Sequence, residues 1–383
     1  MADPPAPDVL DHLALALVPG LGPKLTAALL ERFGSAAAAR RATAAELRDI
    51  PHIGDRTADA FAATLRNVDL EPELRLLERH GVRVVPRGFP GFPPSVAGLV
   101  NPPGLLYFRG EWTEADAGAV AIVGSRACTG YGKKLAEQIA RGLARAGLTG
   151  VSGLARGIDG CAPRGALDAG GRTVAVLAGG LSKIYPPEHA DLAEQVAKQG
   201  GLVTETPMTV EPQPGMFPAR NRIISGLSRA VVVIEANAKS GALITARHAA
   251  EQGREVFAVP GAADSSASAG CLELIRSGAR LVRSADDILE DLRGIAAPEY
   301  AKQESGVRRQ ESAKPQQPEP LTAPMPVLDV VQQRVFDALA ARRHGDELTR
   351  ELALPVSELS RVLMQLEMKR LVRKLPGNFY ERR

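Results

Sequence analysis

Apolar and polar positions follow two different rhythms along the chain, and the organisation changes where the rhythm changes. Between residues 74 and 295, nine short apolar runs recur: Val82–Val85, Leu105–Phe108, Ala119–Val123, Leu148–Val151, Thr173–Leu177, Leu202–Thr204, Ala230–Ile234, Val256–Val259 and Leu281–Val282. Several are apolar throughout, as in Ala230-Val-Val-Val-Ile234, which suits strands covered on both faces. Amphipathic stretches separate them. In one, Leu135, Ile139 and Leu143 recur every four residues and Gly147 closes the helix. Strand and helix in alternation imply parallel pairing and a doubly wound α/β sheet.

The flanks keep only the helical rhythm. Residues 1–70 predict a small helical domain in which Leu17-Val-Pro-Gly-Leu-Gly22 and Ile50-Pro-His-Ile-Gly54 mark two tight turns. Both resemble helix-hairpin-helix turns, whose glycines let backbone amides approach a phosphate, although His52 stands where a glycine is usual. Residues 296–325, which include Lys314-Pro-Gln-Gln-Pro-Glu-Pro-Leu321, have almost nothing to bury and predict a flexible linker. Residues 326–383 read as a winged helix. Val331, Val335 and Leu339 mark one helix, and Ser357 caps a second carrying Leu359, Leu363 and Leu366. A ribbon follows, Leu371–Leu375, turning at Pro376-Gly-Asn378 into Phe379-Tyr380. Arg373 and Lys374 make the ribbon basic, while the second helix mixes Glu358 and Glu367 with Arg361, Lys369 and Arg370. Either terminal block is a candidate for contact with duplex DNA, and the last equally for contact with a protein.

Composition narrows the chemistry. At 383 residues, two or three domains are expected. A net charge of +3 does not by itself announce a nucleic-acid binder, and aromatic residues make up only 4%, so each ring near a site carries weight. Cys128, Cys161 and Cys271 are odd in number and widely spaced, which argues against disulfides and zinc and fits a reducing cytoplasm. No apolar run approaches the roughly 18 residues of a membrane span, and the N-terminus lacks the pattern of a signal peptide.

In a doubly wound sheet, ligands bind at the carboxyl ends of the strands. Five loops there carry candidate chemistry. Gly124-Ser125-Arg126 offers a tight turn, donors for an anion and a guanidinium for phosphate. Ser152–Asp159 follows the next strand. Gly179–His189 brings Lys183, a candidate for contact with a phosphate, and Tyr185, which could pack under a base or a sugar but is read mainly as fixing its loop. Phe217-Pro-Ala-Arg220-Asn221-Arg222 supplies a ring for stacking, an amide for base edges and two cations, with an alternative in which the arginines satisfy Glu205 or Glu235. In Glu235–Thr245, Ser240 is expected to cap a helix, so that Ser240 and Gly241 present free amides beside Lys239. A rim of Arg126, Lys183, Arg220, Arg222 and Lys239 suits a run of phosphates better than one small molecule.

Catalytic readings find less support. The chain has no Gly-x-x-x-x-Gly-Lys-Ser/Thr loop, and no Gly-x-Gly-x-x-Gly follows the Gly124 strand. His189 and His248 stand apart from cysteines and from each other, and no nucleophile–base pair is evident. No catalytic residue, metal ligand or cofactor is expected. The main rival is an enzyme similar to the lysine-decarboxylase-like nucleotide phosphoribohydrolases, but their Pro-Gly-Gly-x-Gly-Thr is here Val259-Pro-Gly-Ala-Ala-Asp264. A second rival is a pure scaffold that touches DNA weakly.

Several motifs stand in a fixed order: Gly-Ser-Arg, Ser-Gly-Leu-Ala-Arg-Gly-Ile-Asp, Tyr-Pro-Pro-Glu-His, Arg-Asn-Arg-Ile-Ile-Ser-Gly-Leu-Ser, Glu-Ala-x-x-x-Ser-Gly-Ala-Leu-Ile-Thr-Ala and Val-Pro-Gly. Across about residues 74 to 285 this order resembles the DprA (Smf, DNA processing protein A) family. The resemblance implies an extended Rossmann-like fold and a cytoplasmic homodimer that binds single-stranded DNA. It further implies protection of that DNA and loading of RecA onto it during natural transformation. It assigns DNA binding to Gly124, Ser125, Arg126, Lys183, Phe217, Arg220, Asn221, Arg222 and Lys239. One departure is visible: after Gly-Ile-Asp the family usually reads Gly/Ala-x-Ala-His, and here Pro163 replaces the histidine.

Overall fold

A computed structural model describes residues 6–293 and, towards the C-terminus, 330–339, 343–352, 354–355, 359, 362–363, 366, 371–375 and 379–382. The expected linker at 296–325 lies outside the described residues, as does Ser357. The chain divides into two compact units, residues 1–308 and 309–383.

The first unit is built on a nine-stranded sheet: β1 (Val82–Pro86), β2 (Leu105–Gly110), β3 (Val120–Val123), β4 (Gly150–Ser152), β5 (Thr173–Val176), β6 (Gly201–Thr204), β7 (Ala230–Val233), β8 (Glu255–Ala258) and β9 (Arg280–Leu281). Their order is β1-β2-β6-β5-β4-β3-β7-β8-β9. The seven strands from β6 to β9 run parallel. β1 and β2 depart from the expected parallel pairing: β1 pairs antiparallel with β2, and β2 antiparallel with β6. Only the four-residue helix Pro94–Ala97 lies between β1 and β2, too little to form the crossover that parallel neighbours need. The sheet is therefore mixed.

Both faces are covered, which explains the uninterrupted apolar runs. Ala121, Val123, Val231 and Val233 point into one core with Ile223, Ile224, Ala242 and Ala246 of two helices, Met216–Gly226 and Ala242–Glu251. The alternate residues Val120, Ile122, Ala230 and Val232 face the opposite way, against Leu135, Ile139 and Leu143 of helix Gly130–Arg145 and Ile158 of helix Ile158–Asp168. The parallel strand order reverses direction between β3 and β7, so the loops leaving these strands diverge and leave a crevice at their carboxyl ends.

The N-terminal helices share a core of their own around Leu15, Leu29, Leu47, Phe61 and Leu65, while Leu13 is buried with Leu77, Tyr107 and Met208 beside the sheet. His52 has φ 71°, the left-handed conformation that Gly20 adopts at φ 83° in the first turn. Both turns therefore have the same shape despite the missing glycine. The first turn, Leu17–Gly22, borders a cleft against Gly104, Leu105 and Val210 of the sheet region, whereas Pro51 and His52 of the second are exposed.

In the second unit, β10 (Arg343–His344), β11 (Val372–Leu375) and β12 (Phe379–Arg382) form an antiparallel sheet in the order β10-β12-β11. Its core holds Val335, Leu339, Leu348, Leu359, Leu363 and Leu366. Arg373 pairs with Glu381 across the ribbon, so its charge is less available than the sequence suggested.

Candidate nucleic-acid interface

The crevice between β3 and β7 opens into a cavity of about 740 Å³. Its floor depends on two glycines. A Cβ on Gly124 would meet Ile158 Cγ1 at 2.6 Å. Gly157, at φ 75°, lets helix Ile158–Asp168 begin against the backbone of Ser125, where a Cβ would run into the carbonyl oxygen. The loops after β3 and β7 are clasped together. The Ser125 amide donates to the Glu235 carbonyl at 2.7 Å, and the Glu235 carboxylate accepts from Thr129 N–H at 2.8 Å and from its hydroxyl at 2.6 Å. Glu235 is thus engaged by Thr129 rather than by an arginine.

Nine of the eleven predicted residues line this cavity: Gly124, Ser125, Arg126, Phe217, Arg220, Asn221, Lys239, Ser240 and Gly241. Lys183 lines a small adjoining recess that shares Tyr185, Pro212, Phe217 and Arg220 with it. Arg222 is the exception. It lies in helix Met216–Gly226 two residues from Arg220, and positions i and i+2 do not share a helix face. Its guanidinium turns away to form a two-pronged pair with Glu205 at 2.7 Å and 2.7 Å and to reach the Asn101 carbonyl at 3.0 Å. Phe217, Arg220 and Asn221, at i, i+3 and i+4, do share a face.

The cations divide by environment. Arg126 and Lys239 are exposed, and no ion pair involves either among the described residues. Lys183 is held by Glu211 at 2.9 Å across the two loops that flank the recess. Arg220 is buried and bonds the carbonyls of Gly153 and Val176, at the ends of β4 and β5, so it closes the platform from beneath. Burial pulls its guanidinium down to about 10, opposed by the nearby Asp159 carboxylate. Burial likewise raises Asp159, against the pull of Arg220 and the amides of Gly124 and Gly153. Asp159 is the one acid among the described residues lining the cavity.

The expected helix cap is displaced by one residue. The helix begins after Gly241, and the Ser240 amide is spent on the Asn237 carbonyl at 3.0 Å. Ser240 instead accepts the Ala242 amide on its hydroxyl. The Ser125 hydroxyl similarly accepts the Ala127 amide, so of these two serines neither offers a free backbone donor.

The sequence did not reveal the ring partners of Tyr185, and Arg156 was not singled out. The Arg126 guanidinium lies over Phe217 at 4.7 Å, Phe217 meets Tyr185 edge-on at 5.8 Å, and Arg156 lies over Tyr185 at 5.7 Å. The result is a row of two rings between two guanidinium groups. Arg156 is anchored by Glu188, which its hydrogen bond holds below the usual carboxylate range. Nothing in local sequence links positions 126, 156, 185 and 217; only the topology brings their loops to one edge.

The profile of the DNA recombination-mediator protein A family matches residues 83–293. The chain belongs to that family. Profiles of the DprA winged helix domain and of the SAM-like helix-hairpin-helix tandem match residues 314–378 and 13–67. Protein Smf of Synechocystis is 34% identical over 97% of this chain and 98% of its own, and protein Smf of Escherichia coli is 38% identical over 85% and 83%. The solved structure of DNA processing protein A from Streptococcus pneumoniae superposes with a TM-score of 0.65 at 34% identity, over 73% of this chain and 97% of that one. The protein from Helicobacter pylori, whose structure concerns its single-stranded DNA binding mode, superposes with a TM-score of 0.51 at 30% identity, over 56% and 96%.

Proposed function

We propose that this chain is a single-stranded DNA-binding recombination mediator, and that the strand lies across the cavity between β3 and β7. The observation that carries the proposal is the row Arg126–Phe217–Tyr185–Arg156 beside Lys239, which forms no ion pair among the described residues. Rings stack on any base and cations neutralise any phosphate, so the combination holds a strand without reading its sequence. The family membership and the binding mode named for the Helicobacter pylori relative support the same reading. Gly124, Ser125, Arg126, Lys183, Phe217, Arg220, Asn221, Lys239, Ser240 and Gly241, joined by Tyr185 and Arg156, form the proposed site; Arg220 acts as a positioning residue, and Arg222 is left out.

In this reading the chain is not an enzyme. It acts in the cytoplasm as a homodimer, shields the strand and loads RecA onto it during natural transformation. Among the described residues no helix is long and apolar enough to cross a membrane.

The test is fluorescence anisotropy with labelled oligo-dT and a duplex of equal length across a salt series. The strand is expected to bind more tightly than the duplex, with an affinity that falls steeply with salt, and Arg126→Ala with Lys183→Ala should flatten that dependence. Unchanged affinity in the double variant would place the site elsewhere. Acceleration of RecA filament formation on the strand by the wild-type chain tests the loading step.

A further inference from the structure

A second cavity, of about 370 Å³, opens at the same edge of the sheet, on the other side of the clasped loops. The start of helix Gly130–Arg145 and the loop after β8 wall it, through Thr129, Tyr131, Glu235, Pro260, Gly261 and Ser268. Its two sides are fixed in place. Thr129 holds the Glu235 carboxylate, and the Ser268 hydroxyl donates to the Ala262 carbonyl at 2.6 Å. The partition between the two cavities is one loop thick, because Ser125 and Arg126 line the first while Thr129, three residues on, lines the second.

Tyr131 stands in this cavity with 61% of its surface exposed. Tyr131 and Tyr185 are the exposed aromatic side chains among the described residues, and each lines one of the two cavities. Tyr185 already belongs to the row of rings in the first. Tyr131 has no ring partner among the described residues. Lys134, three residues further along the helix, shares its face and is exposed, with no ion pair among the described residues. A ring that lines the cavity, and a cation on the same helix face beside it, match one nucleotide: a base for the ring and a phosphate for the ammonium.

We propose that this cavity takes a further nucleotide of the same single strand, stacked on Tyr131 with its phosphate at Lys134, where the strand crosses the partition. The inference rests on the reading that the first cavity binds single-stranded DNA.

The test is anisotropy with oligo-dT of two lengths, one of about 6 nucleotides and one of about 16, within the span that single-strand sites cover. Tyr131→Ala should weaken the long strand on the order of 10-fold and leave the short one unchanged, and Tyr131→Phe should retain most of the affinity. Lys134→Ala should lower the salt slope for the long strand alone. Tyr131 is exposed, so its truncation removes no core packing. If Arg126→Ala weakens both lengths while Tyr131→Ala weakens neither, the second subsite is wrong and the first stands. An equal loss on both lengths in Tyr131→Ala also overturns the subsite. If Arg126→Ala leaves both lengths unaffected, the underlying reading fails.

Discussion

Arg126 lies over the ring of Phe217, 4.7 Å from its centroid, and this contact joins the loop after β3 to the helix that follows β6. The two side chains contribute differently to holding a strand, one by charge and the other by a stacking face. Phe217→Ala is expected to weaken oligo-dT binding by about 1–3 kcal/mol with an unchanged salt slope. Arg126→Ala should lower the slope by about 0.7, because one phosphate is no longer neutralised. Because the residues touch, the double variant should lose less than the sum of the two. Anisotropy titrations at four salt concentrations separate these outcomes.

Lys183, a cation of the proposed site, is already paired with the Glu211 carboxylate. The Glu211 carboxyl is drawn below its usual range by the Lys183 hydrogen bond, so the neighbouring loop carries a competitor for the cation. Glu211→Gln should tighten strand binding several-fold and steepen its salt dependence, and adding Lys183→Ala should abolish the gain. A Glu211→Gln protein with wild-type affinity would show that the pair does not compete.

Arg222 is expected to behave as a structural residue. Its replacement by Ala leaves Glu205, 22% exposed at the side chain, without its two-pronged partner, and should cost about 1–3 kcal/mol in urea unfolding. The salt slope of strand binding should not change. A lowered slope in a folded Arg222→Ala protein would return the residue to the site.

Glu73 is buried, accepts the Met208 amide at 2.8 Å, and has its pKa raised chiefly by burial. The folded state therefore holds its proton more tightly than the unfolded chain does. The stabilisation from this group is complete below its ordinary value of 4.5 and is lost as pH rises through the raised folded value. Glu73→Gln removes that loss and can still accept the amide. The melting temperature of the variant minus that of the wild type should rise with pH from 4.5 upward; a difference independent of pH would contradict the assignment.

The sheet was legible because strands buried on both faces need apolar residues at every position, as in Ala230–Ile234. The cavity was legible because the loops that follow parallel strands all lie at the carboxyl edge of the sheet, whatever their sequence. Arg222 was misread because Arg-Asn-Arg looks like one cluster until the segment is recognised as helical, when its two arginines fall on different faces. The Ser240 amide was misread because Asn237, three residues earlier, takes the hydrogen bond that a simple cap would leave open. The antiparallel edge was missed because the alternation of strands and helices elsewhere set the expectation, and the lack of a crossover helix between Pro86 and Leu105 was not weighed against it. The pairing of Tyr185 with Phe217 depends on a loop and a helix start 32 residues apart meeting in space, which no local pattern records.

The Arg220 guanidinium fastens the ends of β4 and β5 together, bonding the carbonyls of Gly153 and Val176 with donors that no ligand has to supply. If the proposed site holds a strand, these internal bonds keep the platform in place, and the loss of conformational freedom on association falls mainly on the nucleic acid. A strand that is already helically stacked, such as oligo-dA, must give up its own base–base contacts to use the rings, whereas oligo-dT has few to surrender. Composition bias would then come from the disorder of the ligand, with no base edge being read.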